Sequence, residues 1–410
     1  MTNRITALIA DEAGNIFDVP NAQAVGRVGE KFFKLKPEDL IKLPESADLM
    51  FLPQRRAVGL KRSEFVELNG RAVSAILPQG FTRTHLPAYR KSKHAQMLPL
   101  YGYTAVALYK DELHAAALYT DENHKWEPSN YNTPDLPKLI RRVKKNLPDN
   151  RIVAQVANCS LKWHCLTAQN LFYRRWECGV PTSPTCNANC LGCISLQAAE
   201  CCPSPQSRIT FKPTVDEIAD VGIFHLSHAV DGIVSFGQGC EGEPSLQADN
   251  ISAAIEKIRS ATSRGQININ TNAGFTAGIK KIVDAGLDSM RVSIISARDE
   301  SYQRYYRAGY ALDAVKASIG YALEKNVHVS LNLLYMPGFN DRDAEFSAWK
   351  NFLDALPVQM IQVRNLNYDP DAFFAAMEPD ENFHGTKKFL RELKSTFTKL
   401  TVGNFSHYVR

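Results

Sequence analysis

Between residues 171 and 366 the chain alternates short apolar runs with longer stretches whose apolar residues recur every three or four positions. The short runs read as buried strands and the periodic stretches as helices. This predicts strands over 171–176, 232–236, 266–271, 290–295, 327–335 and 359–366, separated by helices over 214–228, 247–260, 276–285, 301–306, 312–325 and 342–356. The first of these helices opens on Thr214-Val-Asp-Glu217, a capping box in which hydroxyl and carboxylate satisfy each other's orphan amides. Gly237-Gln-Gly239 and the 336–341 segment close two of the strands, and Gly286 stops a helix. Strands and helices in alternation, without tandem repeats, predict a parallel α/β fold. Polar residues near the strand ends would then converge on the carboxyl-end face, where such folds place their sites.

Residues 1–155 read differently. Apolar runs over 103–109 and 113–119 are joined by Lys110-Asp-Glu112, a hairpin pattern with a three-residue connection. A helix is predicted next, with Thr133 as cap, Pro134 in the first turn, Asp135 complementing the dipole, and Leu136, Leu139, Ile140 and Val143 at helical spacing. The expected organisation is an additional N-terminal α+β domain over 1–155, a cysteine-rich entry segment and α/β domain over 156–368, and a C-terminal helical cover over 369–410 with a helix over 387–400.

At 410 residues the chain has room for one large α/β unit and a smaller domain. No stretch approaches the roughly 20 apolar residues a membrane helix needs. The first residues carry one basic side chain and a short apolar run stopped by Asp11 and Glu12, a weak signal-peptide pattern, so a cytoplasmic protein without membrane association is expected. The net charge of +5 resides in the first 150 residues, which hold 22 Lys+Arg against 17 Asp+Glu, while 151–410 holds 26 of each. Such a surplus is ordinarily a solvated face. The sharper readings are an RNA surface, with the 83–94 segment placing basic residues around an aromatic, or a docking patch for an acidic electron donor.

Eight of the nine cysteines fall between Cys159 and Cys202. A disulfide framework would spread through a small loop-rich domain, and an odd count leaves one thiol over. Clustering favours metal. Cys186, Cys190 and Cys193 lie within eight positions and can close on one [4Fe-4S] cluster, three thiolates leaving one iron for a ligand that is not protein. The alternative for this trio is zinc, whose cysteines more often come as separated C-x-x-C pairs. Cys159, Cys165 and Cys178 precede it and Cys201 and Cys202 follow it, as ligands of a second iron-sulfur cluster or as buried structural thiols. Spacing leaves both readings open. Cys240 is either a substrate-facing thiol or packing.

The order of features carries a resemblance. A CxxxCxxC loop after the first strand, Glu241-Gly242-Glu243-Pro244 after the second, Thr271-Asn-Ala273 after the third and Ser293 on the fourth resemble the radical S-adenosylmethionine (SAM) superfamily over about 170–367. Arg307-Ala-Gly309 and Pro337-Gly-Phe-Asn340 add to the likeness. The resemblance implies a partial (β/α)6 parallel barrel, a [4Fe-4S] cluster on Cys186, Cys190 and Cys193, and SAM on the open iron. Reductive cleavage of SAM would give a 5'-deoxyadenosyl radical that takes hydrogen from a substrate, with a flavodoxin or ferredoxin-type protein donating the electron, in an oxidoreductase or transferase. It assigns Gly242 and Glu243 to the SAM ammonium and Asn272, Ser293 and Arg307 to ribose or carboxylate; Asn332, on the fifth strand, is expected to face the interior beside them. Two positions depart from the family pattern. Leu191 stands where an aromatic residue usually packs beside adenine, and Glu241 replaces the first glycine of Gly-Gly-Glu-Pro.

The substrate is not written in these motifs. A peptide or protein is expected, because a domain containing a hairpin can take up an extended chain by strand addition. RNA or a small molecule remain as alternatives, and a non-catalytic iron-sulfur carrier or scaffold is the rival that needs no SAM site.

Overall fold

The computed structural model describes residues 4–122, 124–197, 199, 202–378 and 382–409. Two sheets organise them. The first is an eleven-stranded, antiparallel sheet built between Thr6 and Tyr119. Its hairpin Tyr103–Tyr109/Glu112–Tyr119 turns on two residues, not three, since Tyr109 pairs directly with Glu112. Lys110 and Asp111 both have positive φ (54° and 63°), the pair of left-handed residues that matches the twist of the flanking strands.

The second sheet is parallel, its seven strands in sequence order: β1 Glu177–Gly179, β2 Ile233–Phe236, β3 Gln266–Thr271, β4 Ser289–Ile294, β5 His328–Tyr335, β6 Met360–Asn365 and β7 Thr401–Gly403. Five of these match the expected strands. The strand expected over 171–176 does not form: Leu166–Tyr173 is a helix, ended by Arg174 in the left-handed region, and the first strand starts at Glu177. Leu171 and Phe172 are buried with Ala168 on that helix, so tertiary packing overrides the strand preference of an aromatic run. β7 was not anticipated, because three residues are too few to show a period. It joins the sheet against β6, so the C-terminal part contributes a strand to the layer as well as helices at Pro370–Ala376 and Thr386–Thr396.

The helix expected to belong with the N-terminal strands, Leu136–Asn146, buries Leu136, Ile140 and Val143 in the large core around the parallel sheet instead. The next helix, Arg151–Lys162, does the same through Ile152, Val153 and Val156. Its Arg151 grips Glu217 with two hydrogen bonds of 2.7 Å, while Glu217 and Thr214 close the expected capping box of helix Val215–His228. The Arg151 hydrogen bonds hold the Glu217 carboxyl at about 2, below its ordinary 4.5. A depressed carboxyl contributes stability that is complete above the unfolded value and lost as pH falls through the folded one. The wild-type advantage in melting temperature over Glu217→Gln is therefore expected to be constant above about pH 5 and to shrink steadily towards pH 2. A difference independent of pH would remove this assignment.

The two sheets are fastened to each other by buried charge. Arg55 pairs with Asp369 at 2.9 Å and Arg27 with Asp371 at 2.6 Å, just beyond the end of β6. Arg83, fully buried, donates to the carbonyl oxygens of Leu366 (2.8 Å) and Tyr103 (3.3 Å). Breaking a pair of this kind leaves an uncompensated buried charge, a cost of about 3–5 kcal/mol. The antiparallel sheet is thereby fixed on the segment where β6 ends. Among the described residues no helix is long and apolar enough to cross a membrane.

Candidate functional site

Strands buried on both faces usually read as continuous apolar runs. β3 to β6 do not. Ile267, Ile269, Val292, Leu331, Leu333 and Val363 enter the apolar core, and alternate residues between them are polar. Since successive side chains point to opposite faces, Asn270, Arg291, Ser293, Asn332, Gln362 and Arg364 share the other face. They line a cavity of about 420 Å³ at the carboxyl ends of the strands, closed by Gly237-Gln238-Gly239 after β2 and Phe405 after β7.

Two of the three cradle thiols, Cys190 and Cys193, face this cavity. Their loop is docked through its backbone: Asn189 N donates to Tyr306 O (2.9 Å) and Leu191 N to Tyr305 O (3.0 Å). Burial pushes the Cys190 thiol well above its ordinary value, and the neighbouring Cys186 and Cys193 add to the rise. Burial also raises Cys186, with Glu243 as a further cause. Cys186 and Cys190, raised in this way, become thiolates readily beside a strong positive centre, which is what iron supplies. Arg208 adds a cation, donating to Cys193 Sγ at 3.6 Å and to Ser195 Oγ at 2.9 Å. Among the described residues no three His, Cys, Asp or Glu side chains converge on the space of one metal ion. Thiolates on a single zinc each sit about 2.3 Å from it, whereas those on a cubane are held apart by the cluster.

The segment after β2 is sewn to this loop. Gly242 N donates to Ser183 O (2.7 Å) and Glu243 N to Thr185 O (2.8 Å). Glu241, the residue that replaces a glycine of the family pattern, is buried. Its Oε2 accepts from Thr182 N, Thr182 Oγ1 and Ser183 N (2.7–2.9 Å), and its Oε1 from Gly237 N and Gln238 N (2.7 and 2.8 Å). Burial lifts its carboxyl to about 7 against the pull of these donors. The departure thus has a structural use: one side chain joins the exits of β1 and β2.

Glu243 is buried too, and its carboxylate faces protein donors. Oε2 accepts from Asn272 N (2.8 Å), and Oε1 accepts from Ser245 N (3.1 Å) and from Thr271 Oγ1. Asn272 in turn donates to Asn187 Oδ1 (2.7 Å), tying the end of β3 to the cysteine loop. Gly242, Glu243 and Asn272 therefore stand together behind the loop, while Ser293 and Asn332 line the cavity. Asn332 Oδ1 is buried without a hydrogen-bond partner, a free acceptor of the kind a bound ligand satisfies. Arg307 is not brought to this site: it is exposed, in the left-handed conformation that ends helix Asp299–Tyr306, and is not among the cavity-lining residues.

Leu191 is buried, and the aromatic side chains at the cavity come from elsewhere. Tyr305 and Tyr306 line it, in edge contact at 5.0 Å, and Tyr306 stacks on Tyr302 at 4.3 Å. Sequence reasoning placed their helix but gave these rings no role. It also missed Arg291, Gln362, Arg364 and Glu177, although polar residues at every second position of otherwise apolar strands were a readable signal.

The remaining cysteines divide. Cys159 and Cys240 are buried in contact, each thiol altering the other's ionisation, and with Cys165 they border a small cavity of about 50 Å³. Cys240 is thus part of a thiol group and not among the residues of the larger cavity. Cys178 is buried within β1, and Cys202 accepts from Gln197 Nε2 at 3.1 Å. Cys201 lies outside the described residues.

Residues 180–348 match the family model of the Radical SAM superfamily. The chain carries a radical SAM domain. A domain of this family implies an iron-sulfur cluster and SAM as cofactors. No curated protein sequence matches the chain. Among solved structures it is similar to HydG, a maturase of the [FeFe]-hydrogenase, at 16% identity and a TM-score of 0.35, over 68% of this chain and 69% of that one. It is similar to SuiB of Streptococcus suis, solved with the precursor peptide SuiA, at 12% identity and TM-score 0.38, over 62% of this chain and 53% of that one. A radical SAM methyltransferase from Sphaerobacter thermophilus is similar at 14% identity and TM-score 0.39, over 54% and 64% of the two chains. The chain spans about half the length of the S. suis protein and under two thirds of the methyltransferase.

Proposed function

We propose that Cys186, Cys190 and Cys193 hold a [4Fe-4S] cluster with an open iron for SAM, above a cavity in which a substrate loses hydrogen. The observation that carries this reading is the cavity itself, where two of the three cradle thiols meet a free acceptor, Asn332 Oδ1, on the inward face of a parallel sheet. The sheet is taken as the partial (β/α)6 barrel of the family, with β7 as an extra outer strand. When bound, cluster and SAM together supply a 5'-deoxyadenosyl radical that abstracts hydrogen. The chain's own part is to hold and to exclude. The backbone bonds from Asn189 and Leu191 fix the thiols, and the Glu241 and Glu243 carboxylates lock together the loops after β1, β2 and β3. Asn332, Ser293 and Gln362 offer fixed polar groups to what lies in the cavity, and Tyr305, Tyr306 and Phe405 keep bulk water from it. Gly242, Glu243 and Asn272 are assigned to the SAM side of the site. A small iron-sulfur or flavin protein is proposed as electron donor, in the reducing environment of the cytoplasm.

Anaerobic reconstitution with iron and sulfide, reduction with dithionite and addition of SAM are expected to yield 5'-deoxyadenosine, detected by mass spectrometry. An intact cluster with bound SAM and no 5'-deoxyadenosine above a cluster-free control would overturn the reading in favour of an electron carrier.

A further inference from the structure

The inward face of the sheet carries charge as well as amides. Apart from the thiols, the charged side chains at the cavity are Glu177, Arg291 and Arg364. Arg291 Nη2 donates to Glu177 Oε1 at 3.1 Å, and Arg291 Nε is buried with no partner. Arg364 is held only by neutral acceptors: its Nη1 donates to Asn404 O (2.7 Å) and Gln79 Oε1 (3.2 Å). Two guanidiniums thus face one carboxylate. Arg364 is half-buried, and the opposite charge that acts on it, Glu177, is already paired with Arg291; a cation so poorly compensated is unfavourable, and the structure keeps this one at the wall of a cavity.

The cofactors do not remove the excess. Three thiolates on a doubly positive cubane leave one negative charge, and SAM, with sulfonium, ammonium and carboxylate, brings one net positive charge to offset it. The excess also lies in the body of the well as well as near the thiol-bearing mouth. Arg291 precedes Ser293 by one inward-facing position on β4, roughly 6.6 Å deeper along the strand.

We propose that the cavity takes a small substrate bearing an anionic group, a carboxylate in its simplest form, which Arg364 binds with Arg291 beside it. The identification of this anion's bearer as the substrate rests on the radical SAM reading above; the charge excess does not. Arg364 presents a planar fork that matches two carboxylate oxygens, and its neutral partners orient the fork without neutralising it. Burial, with Arg291 nearby, lowers the Arg364 pKa to about 10, which still leaves it protonated at neutral pH.

The test measures binding to the reconstituted, SAM-loaded holoenzyme by titration calorimetry. The probes are small carboxylates (acetate, succinate, 2-oxoglutarate and the free amino acids), each beside its primary amide. At least one carboxylate is expected to bind, its amide at least about tenfold more weakly, and Arg364→Met is expected to weaken the carboxylate by about tenfold to a hundredfold. Binding of amides and carboxylates alike, or of no carboxylate at all, overturns the proposal. SAM affinity is measured beside it. If Arg364→Met weakens SAM by that factor and leaves the probes unchanged, the guanidinium serves the carboxylate of SAM and the proposal fails. Should Arg364→Met unfold the chain, the wild-type comparison of carboxylate with amide decides alone. Failure of the radical SAM reading is separable, because it shows as absent SAM binding or absent 5'-deoxyadenosine in the unaltered holoenzyme.

Discussion

A chain in which Cys186, Cys190 and Cys193 are all alanine is expected to reconstitute no cluster and to form no 5'-deoxyadenosine, where the unaltered chain takes up about four irons and about four sulfides. The loss should be complete, because a cubane with no protein thiolate at this loop has nothing to hold it. The fold should survive. The loop is carried by backbone bonds from Asn189 and Leu191 to the Tyr305–Tyr306 segment and by the Glu243 to Thr185 bond, none of which uses a thiol. The melting temperature of the variant is therefore expected to match that of the cluster-free wild type. The same measurement addresses the other cysteines. Cys159, Cys165 and Cys240 border a cavity of about 50 Å³, while Cys178 and Cys202 stand apart from them. Iron falling to zero means one cluster; about four irons remaining in the variant would show that a second set of cysteines holds another.

The parallel sheet was legible because its elements carry their own signals. Thr214 and Glu217 form the box their spacing announces, and β2 to β6 are bounded by residues that punctuate any chain. The first and last strands were not, each for a physical reason. β1 is three residues long, and its register is set by pairing with β2, whereas the preceding aromatic run satisfies its apolar side chains as a helix. β7 forms because β6 offers it an edge, which is a property of the finished sheet. The cradle cysteines were picked out by their spacing and the stretch from Glu241 to Pro244 by the resemblance, and the structure sews the two segments together through Gly242 and Glu243. Which side chain of that stretch does what was not legible. Glu241 looked like a flaw in a glycine motif, yet five donors converge on its carboxylate. Arg307, taken from its place in the chain, lies exposed at a helix end. Convergence of distant segments is what local patterns cannot carry: Tyr305 and Tyr306 reach the thiols only because the cysteine loop returns across the mouth of the sheet.

Gly242→Ala is expected to abolish tight SAM binding and to lower the yield of reconstituted cluster, although the change adds a single methyl group. A Cβ at Gly242 would stand 1.9 Å from the carbonyl oxygen of Thr185, 2.4 Å from its carbon and 3.0 Å from the amide nitrogen of Cys186. All three neighbours are backbone, so no side-chain rotation relieves the contact; the loop before Cys186 or the turn between Glu241 and Glu243 must move. Either movement breaks the bonds from Gly242 to Ser183 and from Glu243 to Thr185, and with them the positions of the first cradle thiol and of the carboxylate that meets Asn272. Overpacking of this kind costs about 1–3 kcal/mol in an interior that can adjust, and more where backbone meets backbone. A fall of at least tenfold in SAM affinity is expected, measured by equilibrium dialysis on the reconstituted chain, with iron per chain reduced in parallel. Gly309→Ala supplies the control, since a Cβ there meets no atom within 4 Å. It should leave SAM affinity and iron content unchanged. If Gly242→Ala behaved like Gly309→Ala, the close approach of the two loops would not be what seats the cofactors.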